Sequence, residues 1–134
     1  EALLTDGTTA NKADRSHKSV NAVGASANVD IDFRALEDVF GDAMTTLTEV
    51  VALVLEAPAA NPAVLTIKPS ASNGWTAFLD DASDEINLQP GATLVLYSAG
   101  DGLYPVGASD KSINVANANA AVASLTLTLI GRSA

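Results

Sequence analysis

Between Ser112 and Ile130 apolar and polar residues alternate so regularly that the pattern fits extended chain with one buried face and little else. In Ser112-Ile113-Asn114-Val115-Ala116-Asn117 every second residue is apolar, and Ser124-Leu125-Thr126-Leu127-Thr128-Leu129 repeats this without exception. Leu125, Leu127 and Leu129 point inward; Thr126 and Thr128 point outward. Asn117-Ala118-Asn119-Ala120-Ala121 separates the two runs, and its Asn residues tolerate left-handed backbone, so the sequence predicts two strands joined as a hairpin.

The same signature recurs upstream. Val29-Asp30-Ile31-Asp32-Phe33 alternates cleanly, with both Asp residues on the solvent side, where they protect a strand edge from pairing with other chains. Residues 34–56 are ambiguous: Leu36, Val39, Phe40, Leu47, Val50, Val51 and Val54 fit helical spacing. Gly41 interrupts that helix, however, and Thr45, Thr46, Thr48, Val50, Val51 and Val54 lose rotamer freedom in one, so 47–56 is expected to be a central strand. Pro58 and Pro62 bracket a turn before a strand at Val64–Lys68, stopped by Pro69. Ile86–Leu88 and Ala92–Tyr97 flank Gln89-Pro90-Gly91, a strong turn signal, and Pro105 marks Leu103–Val106 as an edge strand. Roughly eight short strands between Gly, Pro, Asn and Asp turns predict an all-β fold: a single antiparallel β-sandwich, jelly-roll-like, with an extended N-terminal arm.

That arm is expected over residues 1–28, ahead of a sandwich domain at 29–134. The first 28 residues are rich in Ala, Ser, Thr, Asn and Gly, and show almost no periodic apolar pattern. Lys12, Arg15, His17 and Lys18 fall within seven residues and hold three of the seven basic side chains. A solvated terminal segment accounts for them; the sharper expectation is that Lys12, Arg15 and Lys18 contact an acidic partner.

The 134 residues fit one domain, and a core with only six aromatic residues must be aliphatic. Seven basic against 16 acidic residues give a formal charge of −9, which repels a phosphate backbone, so no nucleic-acid partner is expected. The lack of Cys removes disulfides, thiolate nucleophiles and Cys-based metal sites. No apolar run approaches the ~18 residues of a membrane span, and the first twenty residues carry charge throughout, so neither a span nor a secretory signal is expected.

Catalysis needs a nucleophile beside a base, paired carboxylates in a pocket, or an open metal site. The single His, His17, excludes a multi-histidine metal site and, lying in the N-terminal segment, argues against a Ser–His–acid hydrolase. No phosphate-binding loop or dinucleotide fingerprint occurs. The expectation is no enzyme, no cofactor and no resident metal. Asp80, Asp81, Asp84 and Glu85 form the best metal candidate, yet lack the alternation and central Gly of an EF-hand loop, and read better as a solvated acidic turn. Trp75, spaced with Phe78 and Leu79 as one helical turn, reads as a plug beneath a long connection rather than a sugar platform.

The order of segments resembles a known class. Phe33-Arg34-Ala35-Leu36, Val51-Ala52-Leu53-Val54-Leu55, Leu65-Thr66-Ile67, Trp75 with Phe78, Leu88-Gln89-Pro90-Gly91-Ala92-Thr93-Leu94-Val95-Leu96, and Lys111-Ser112-Ile113-Asn114-Val115-Ala116-Asn117 before Leu127-Thr128-Leu129-Ile130-Gly131 form a succession similar to small structural proteins of tailed-bacteriophage virions, of the capsid-decoration or accessory type. The resemblance spans about residues 29–131 and rests on β-sandwich packing motifs. It implies a virion location on the capsid surface, binding to the major capsid protein, and self-association, most simply as a homotrimer. Two other readings stay open: a carbohydrate- or receptor-binding module of a phage tail or fibre, with Trp75, Tyr97 and Tyr104 as stacking candidates, and a calcium-stabilised adhesion domain built on the acidic turn.

Overall fold

A computed structural model describes residues 4–133. Ten strands follow in order: β1 (Thr5–Asp6), β2 (Lys12–Ala13), β3 (Arg15–Val23), β4 (Ala27–Asp32), β5 (Leu47–Glu56), β6 (Leu65–Pro69), β7 (Ile86–Leu88), β8 (Thr93–Tyr97), β9 (Ser112–Asn117) and β10 (Ala123–Ser133). A 3₁₀ turn at Phe33–Ala35 follows β4, and the Asp32 carboxylate caps it by accepting from the Arg34 N–H. One sheet has the order β3-β10-β5-β8, a second the order β4-β9-β6-β7, and β1 with β2 makes a short parallel pair. Every pairing within the two larger sheets is antiparallel. Apart from β6 and β7, successive strands from β3 onward switch sheets, and this is the jelly-roll arrangement of an antiparallel sandwich.

Alternation decides what lies between the sheets. Leu125, Leu127 and Leu129 of β10 and Leu53 and Leu55 of β5 share a fully buried core with Ile113 and Val115 of β9 and Leu65 and Ile67 of β6. β10 packs one face on the opposite sheet and turns the other outward, which explains the strict alternation of its sequence. Trp75 closes the stack as a plug. It is wholly buried, edge-on to Phe33 and stacked on Phe78 with centroids 5.1 Å away in both cases, and its Nε1–H donates to the Pro105 carbonyl at 2.7 Å.

Three expectations need correction. First, β9 and β10 are not a hairpin: they lie in opposite sheets, and residues 118–122 cross between them. Alternation reports which face is buried, not which strand is the neighbour. Asn117 makes the crossing: its Nδ2 donates to the carbonyls of Val23 (3.2 Å), Gly24 (3.0 Å) and Ala121 (2.9 Å), while its Oδ1 accepts from the Asn119 N–H at 3.0 Å. The Pro90-Gly91 turn crosses from β7 to β8 in the same way, with Gly91 at φ 81° and its N–H on the Ala57 carbonyl.

Second, the sandwich does not begin at residue 29. β3 pairs with β10 over nine residues, from Arg15 opposite Gly131 to Val23 opposite Ala123. Its pattern is inverted: His17, Ser19 and Asn21 share the inward side with Leu129, Leu127 and Leu125, while Lys18, Val20 and Ala22 face outward. An edge strand with polar residues inside and apolar ones outside does not show the usual signature. The chain before β3 is also tied to the body, with the Asn11 N–H on the Ala99 carbonyl at 2.9 Å.

Third, Leu103–Val106 is not a full strand. It holds the start of β5 through a single bridge between Glu49 and Pro105, with the Val50 N–H on the Tyr104 carbonyl at 2.9 Å and the Val106 N–H on the Thr48 carbonyl at 2.8 Å. Proline supplies no N–H, so the ladder stops there.

Candidate functional site

The two outer faces of the sandwich differ in kind. On the β4-β9-β6-β7 sheet the pairing register sets Asn28, Ala116, Thr66 and Asn87 in one row and Asp30, Asn114 and Lys68 in the next. These side chains satisfy one another. Asn114 Nδ2 donates to Asn28 Oδ1 (3.0 Å) and Asp30 Oδ1 (2.7 Å), the Ser70 hydroxyl donates to Asp30 Oδ1 (2.9 Å), and the Thr66 hydroxyl to Asn87 Oδ1 (3.1 Å). Such a face is at home in water.

The β3-β10-β5-β8 sheet shows the reverse. Its outward rows are Val20-Thr126-Glu56-Thr93, then Lys18-Thr128-Val54-Val95, then Ser16-Ile130-Ala52-Tyr97. Val20 is 71% exposed, Val95 60% and Tyr97 44%, with Val54, Ala52 and Ile130 half-buried between them. Phe40, 87% exposed, extends the patch beside Ile130 and Ser16. The loop that carries Phe40 is fixed to β3: the Val39 N–H reaches the Ser16 carbonyl at 2.8 Å, and Arg15 donates to the Asp38 carboxylate at 3.2 Å. Within the three rows only Lys18 and Glu56 carry charge, and they flank a shallow concavity with Thr126, Pro58 and Thr93. Apolar side chains gather on the β5 and β8 part of this face, at Val54, Val95, Ala52 and Tyr97, and continue through Ile130 to Phe40, while Thr126, Thr128, Lys18 and Glu56 separate them from Val20.

The basic residues singled out in the sequence do not converge. Lys18 stands exposed on the apolar face. Arg15 is spent on Asp38, whose side chain is almost inaccessible, and Lys12 lies on β2 with its stem packed against Gly7. Asp38 is the anchor of its loop. The Asp42 N–H, helped by the Phe40 N–H and by Arg15, holds its carboxyl below the usual carboxylate range against the opposing effect of burial.

In the acidic turn, Asp81 accepts from the backbone N–H and the hydroxyl of Ser83, both at 2.8 Å, and these bonds lower its pKa. No cluster of three or more potential metal-ligating His, Cys, Asp or Glu side chains occurs among the described residues. The aromatic trio is split as well: Trp75 is sealed in the core with Tyr104 packed beside it, and Tyr97 alone is open on the β8 edge. A stacking platform built on Trp75 is therefore ruled out by its burial.

Two sheets in this order define an all-β protein of jelly-roll sandwich architecture. No protein-family model matches the chain, and no curated protein matches it. Among solved structures it is similar to a de novo designed double-stranded β-helix determined by solution NMR, at 8% identity and a TM-score of 0.44 over 84% of this chain and 97% of that one. It is also similar to a structure from Bacillus endospore appendages, which form disulfide-linked pili, at 12% identity and a TM-score of 0.44 over 89% of this chain and 88% of that one.

Proposed function

We propose that this protein is a structural subunit of a multi-copy assembly, and specifically a decoration protein that binds the major capsid protein on the outer surface of a bacteriophage capsid and reinforces the shell. The observation that supports this reading is the contrast between the faces: one sheet exposes Val20, Val95, Tyr97 and neighbouring Phe40, while the other covers itself with a hydrogen-bonded polar layer. A rigid sandwich with one side suited to protein and one to water fits a shell-bound module. Self-association, as a homotrimer in the virion class that the sequence resembles, belongs to the same proposal, and the charge of −9 argues against nucleic acid as partner.

The test is co-sedimentation with empty phage shells. Saturable pelleting of the full chain, lost in Val95→Glu with Tm unchanged, is the expected result. A chain that never pellets, but whose Tm rises with a glycan bound at Tyr97, overturns the decoration reading in favour of a receptor-binding module.

A further inference from the structure

The outer face of the β3-β10-β5-β8 sheet carries two charges of opposite sign, which a two-fold contact can set against each other. Lys18 lies on β3 in the row of Thr128, and Glu56 lies on β5 in the row of Thr126, so the two stand on either side of β10 and one row apart. Both are exposed, and neither takes part in an ion pair among the described residues. Unpaired opposite charges on an otherwise uncharged face are costly in a buried contact unless the partner supplies the complements.

We propose that this face docks on the same face of a second copy of the chain, with Lys18 of each copy against Glu56 of the other. The proposal rests on reading the face as a docking surface and names as its occupant a second copy of the chain, so that copies seated on the shell are joined in two-fold pairs, an association distinct from the homotrimer. An isologous contact must bring each patch onto itself turned over. Strands ~4.8 Å apart and same-side residues roughly 6.7 Å apart define the lattice of the sheet. On it, the two-fold that exchanges Lys18 with Glu56 passes between Thr126 and Thr128. It lays Val95 of one copy over Ile130 of the other, and brings the two Tyr97 rings together near the axis. The strands of the two copies then cross nearer to a right angle than to parallel, as in orthogonal sheet packing. The centre of the contact is made of Thr, Val and Ala, and the ion pairs sit outside it.

Its size sets its strength. Four strands by about 20 Å give a face of about 400 Å² per copy in projection, about 800 Å² for the two, below the ~1,000 Å² that a stable specific interface clears. The pair is therefore weak and concentration-dependent, and gains persistence only where many copies are held together.

Sedimentation velocity over a wide concentration range tests this on the full chain. The expected result is a shift from one-copy to two-copy mass. Lys18→Glu and Glu56→Lys should each weaken pairing by tenfold or more, the combined K18E/E56K variant should restore it, and V95E should abolish it with Tm unchanged. Single-copy mass at every concentration overturns the proposal, as does a dimer or trimer that all three single substitutions leave intact. If the chain stays single-copy while V95E still abolishes shell pelleting, the face docks on the shell and only the second-copy occupant is wrong. If V95E changes neither mass nor pelleting, both proposals fall.

Discussion

Arg132 and Glu49, 1% and 5% exposed, form a buried ion pair at the seam between β10 and β5, with Arg132 Nη2 2.9 Å from Glu49 Oε2 and Nε 3.1 Å from the same oxygen. The rest of the guanidinium fork binds backbone. Nη1 donates to the carbonyls of Thr9 and Lys12, and Nη2 to that of Gly100, while Glu49 Oε1 accepts from the Leu103 N–H. One side chain near the end of the chain thus ties down the segment before β3 and the β8–β9 connection. Removing one partner leaves the other charge buried and uncompensated, which costs about 3–5 kcal/mol. Arg132→Met should lower urea stability by about that amount, whereas Arg132→Met combined with Glu49→Leu should recover a large part of it. Equal stability of the single and double variants would show that the pair itself contributes little.

The single Trp gives a direct reading of the plug. Trp75→Phe keeps an aromatic ring against Phe33 and Phe78 but leaves the Pro105 carbonyl without its donor, and Trp75→Ala empties the site. Expected losses are about 1–3 kcal/mol for Phe and about 3–5 kcal/mol for Ala, measured by urea unfolding followed by far-UV circular dichroism. In the unaltered chain, Trp emission should be blue-shifted and move red in a single step with the backbone signal. An emission maximum already characteristic of water in the folded state would contradict its burial.

The strands with ordinary alternation were legible in the sequence, and so were the all-β class and the buried Trp75. Each depends on local pattern. What could not be read depends on pairing between distant segments. Asn117 looked like turn chemistry, and only the approach of Val23 and Gly24 from the β3–β4 connection reveals it as a staple. β3 was hidden because its outward Val20 and inward Ser19 and Asn21 invert the rule by which strands are recognised. The same inversion concealed Val20: a lone exposed Val in a polar stretch signals nothing until β10, β5 and β8 line up beside it. The basic cluster misled for a related reason, since spacing along the chain did not show that Asp38 would take Arg15.

Acid should loosen the loop that carries Phe40 before it unfolds the rest. Asp38 has its folded pKa below the ordinary carboxylate value of 3.8, chiefly through the Asp42 N–H, with Phe40 and Arg15 contributing. Because the shift is downward, the unfolded chain binds the proton more readily, and the stability this group contributes is fully present above 3.8. It declines as pH falls from there and is gone below the depressed folded value. Asp38→Asn should lower Tm at neutral pH and flatten the acid limb of the Tm profile below pH 4 relative to the parent. Parallel acid limbs in the two proteins would remove Asp38 as a contributor.

Gly131 sits at the irregularity in register between β10 and β5, where Ile130 faces Ala52 but Gly131 faces Val50. A Cβ there would lie 2.4 Å from Leu47 Cδ1 and 2.7 Å from the Glu49 carbonyl oxygen. The leucine can turn aside; the backbone oxygen cannot. Gly131→Ala should therefore destabilise by about 1–3 kcal/mol, and Gly107→Ala, whose Cβ meets nothing within 4 Å, serves as the neutral control. Comparable unfolding midpoints for the two variants would mean that the bulge relaxes.

Asn117→Asp tests the sheet crossing most sharply, because the side chain keeps its shape and loses only its donors. Asn117 is 2% exposed, and its amide nitrogen serves three carbonyls from two connections, Val23 and Gly24 on one side and Ala121 on the other. A carboxylate in that place repels all three oxygens and is itself buried without a cation. The loss should exceed the about 1–3 kcal/mol expected for one unsatisfied buried group, and should exceed that of Asn117→Ala, which leaves the carbonyls unpaired but adds no charge. Hydrogen exchange should report it locally, with faster exchange at Ser26, whose N–H bonds the Asn119 carbonyl at 2.7 Å between the same two connections. If Asn117→Asp proves no worse than Asn117→Ala and Ser26 stays protected, backbone pairing of β4 with β9 closes this end of the sandwich without the staple.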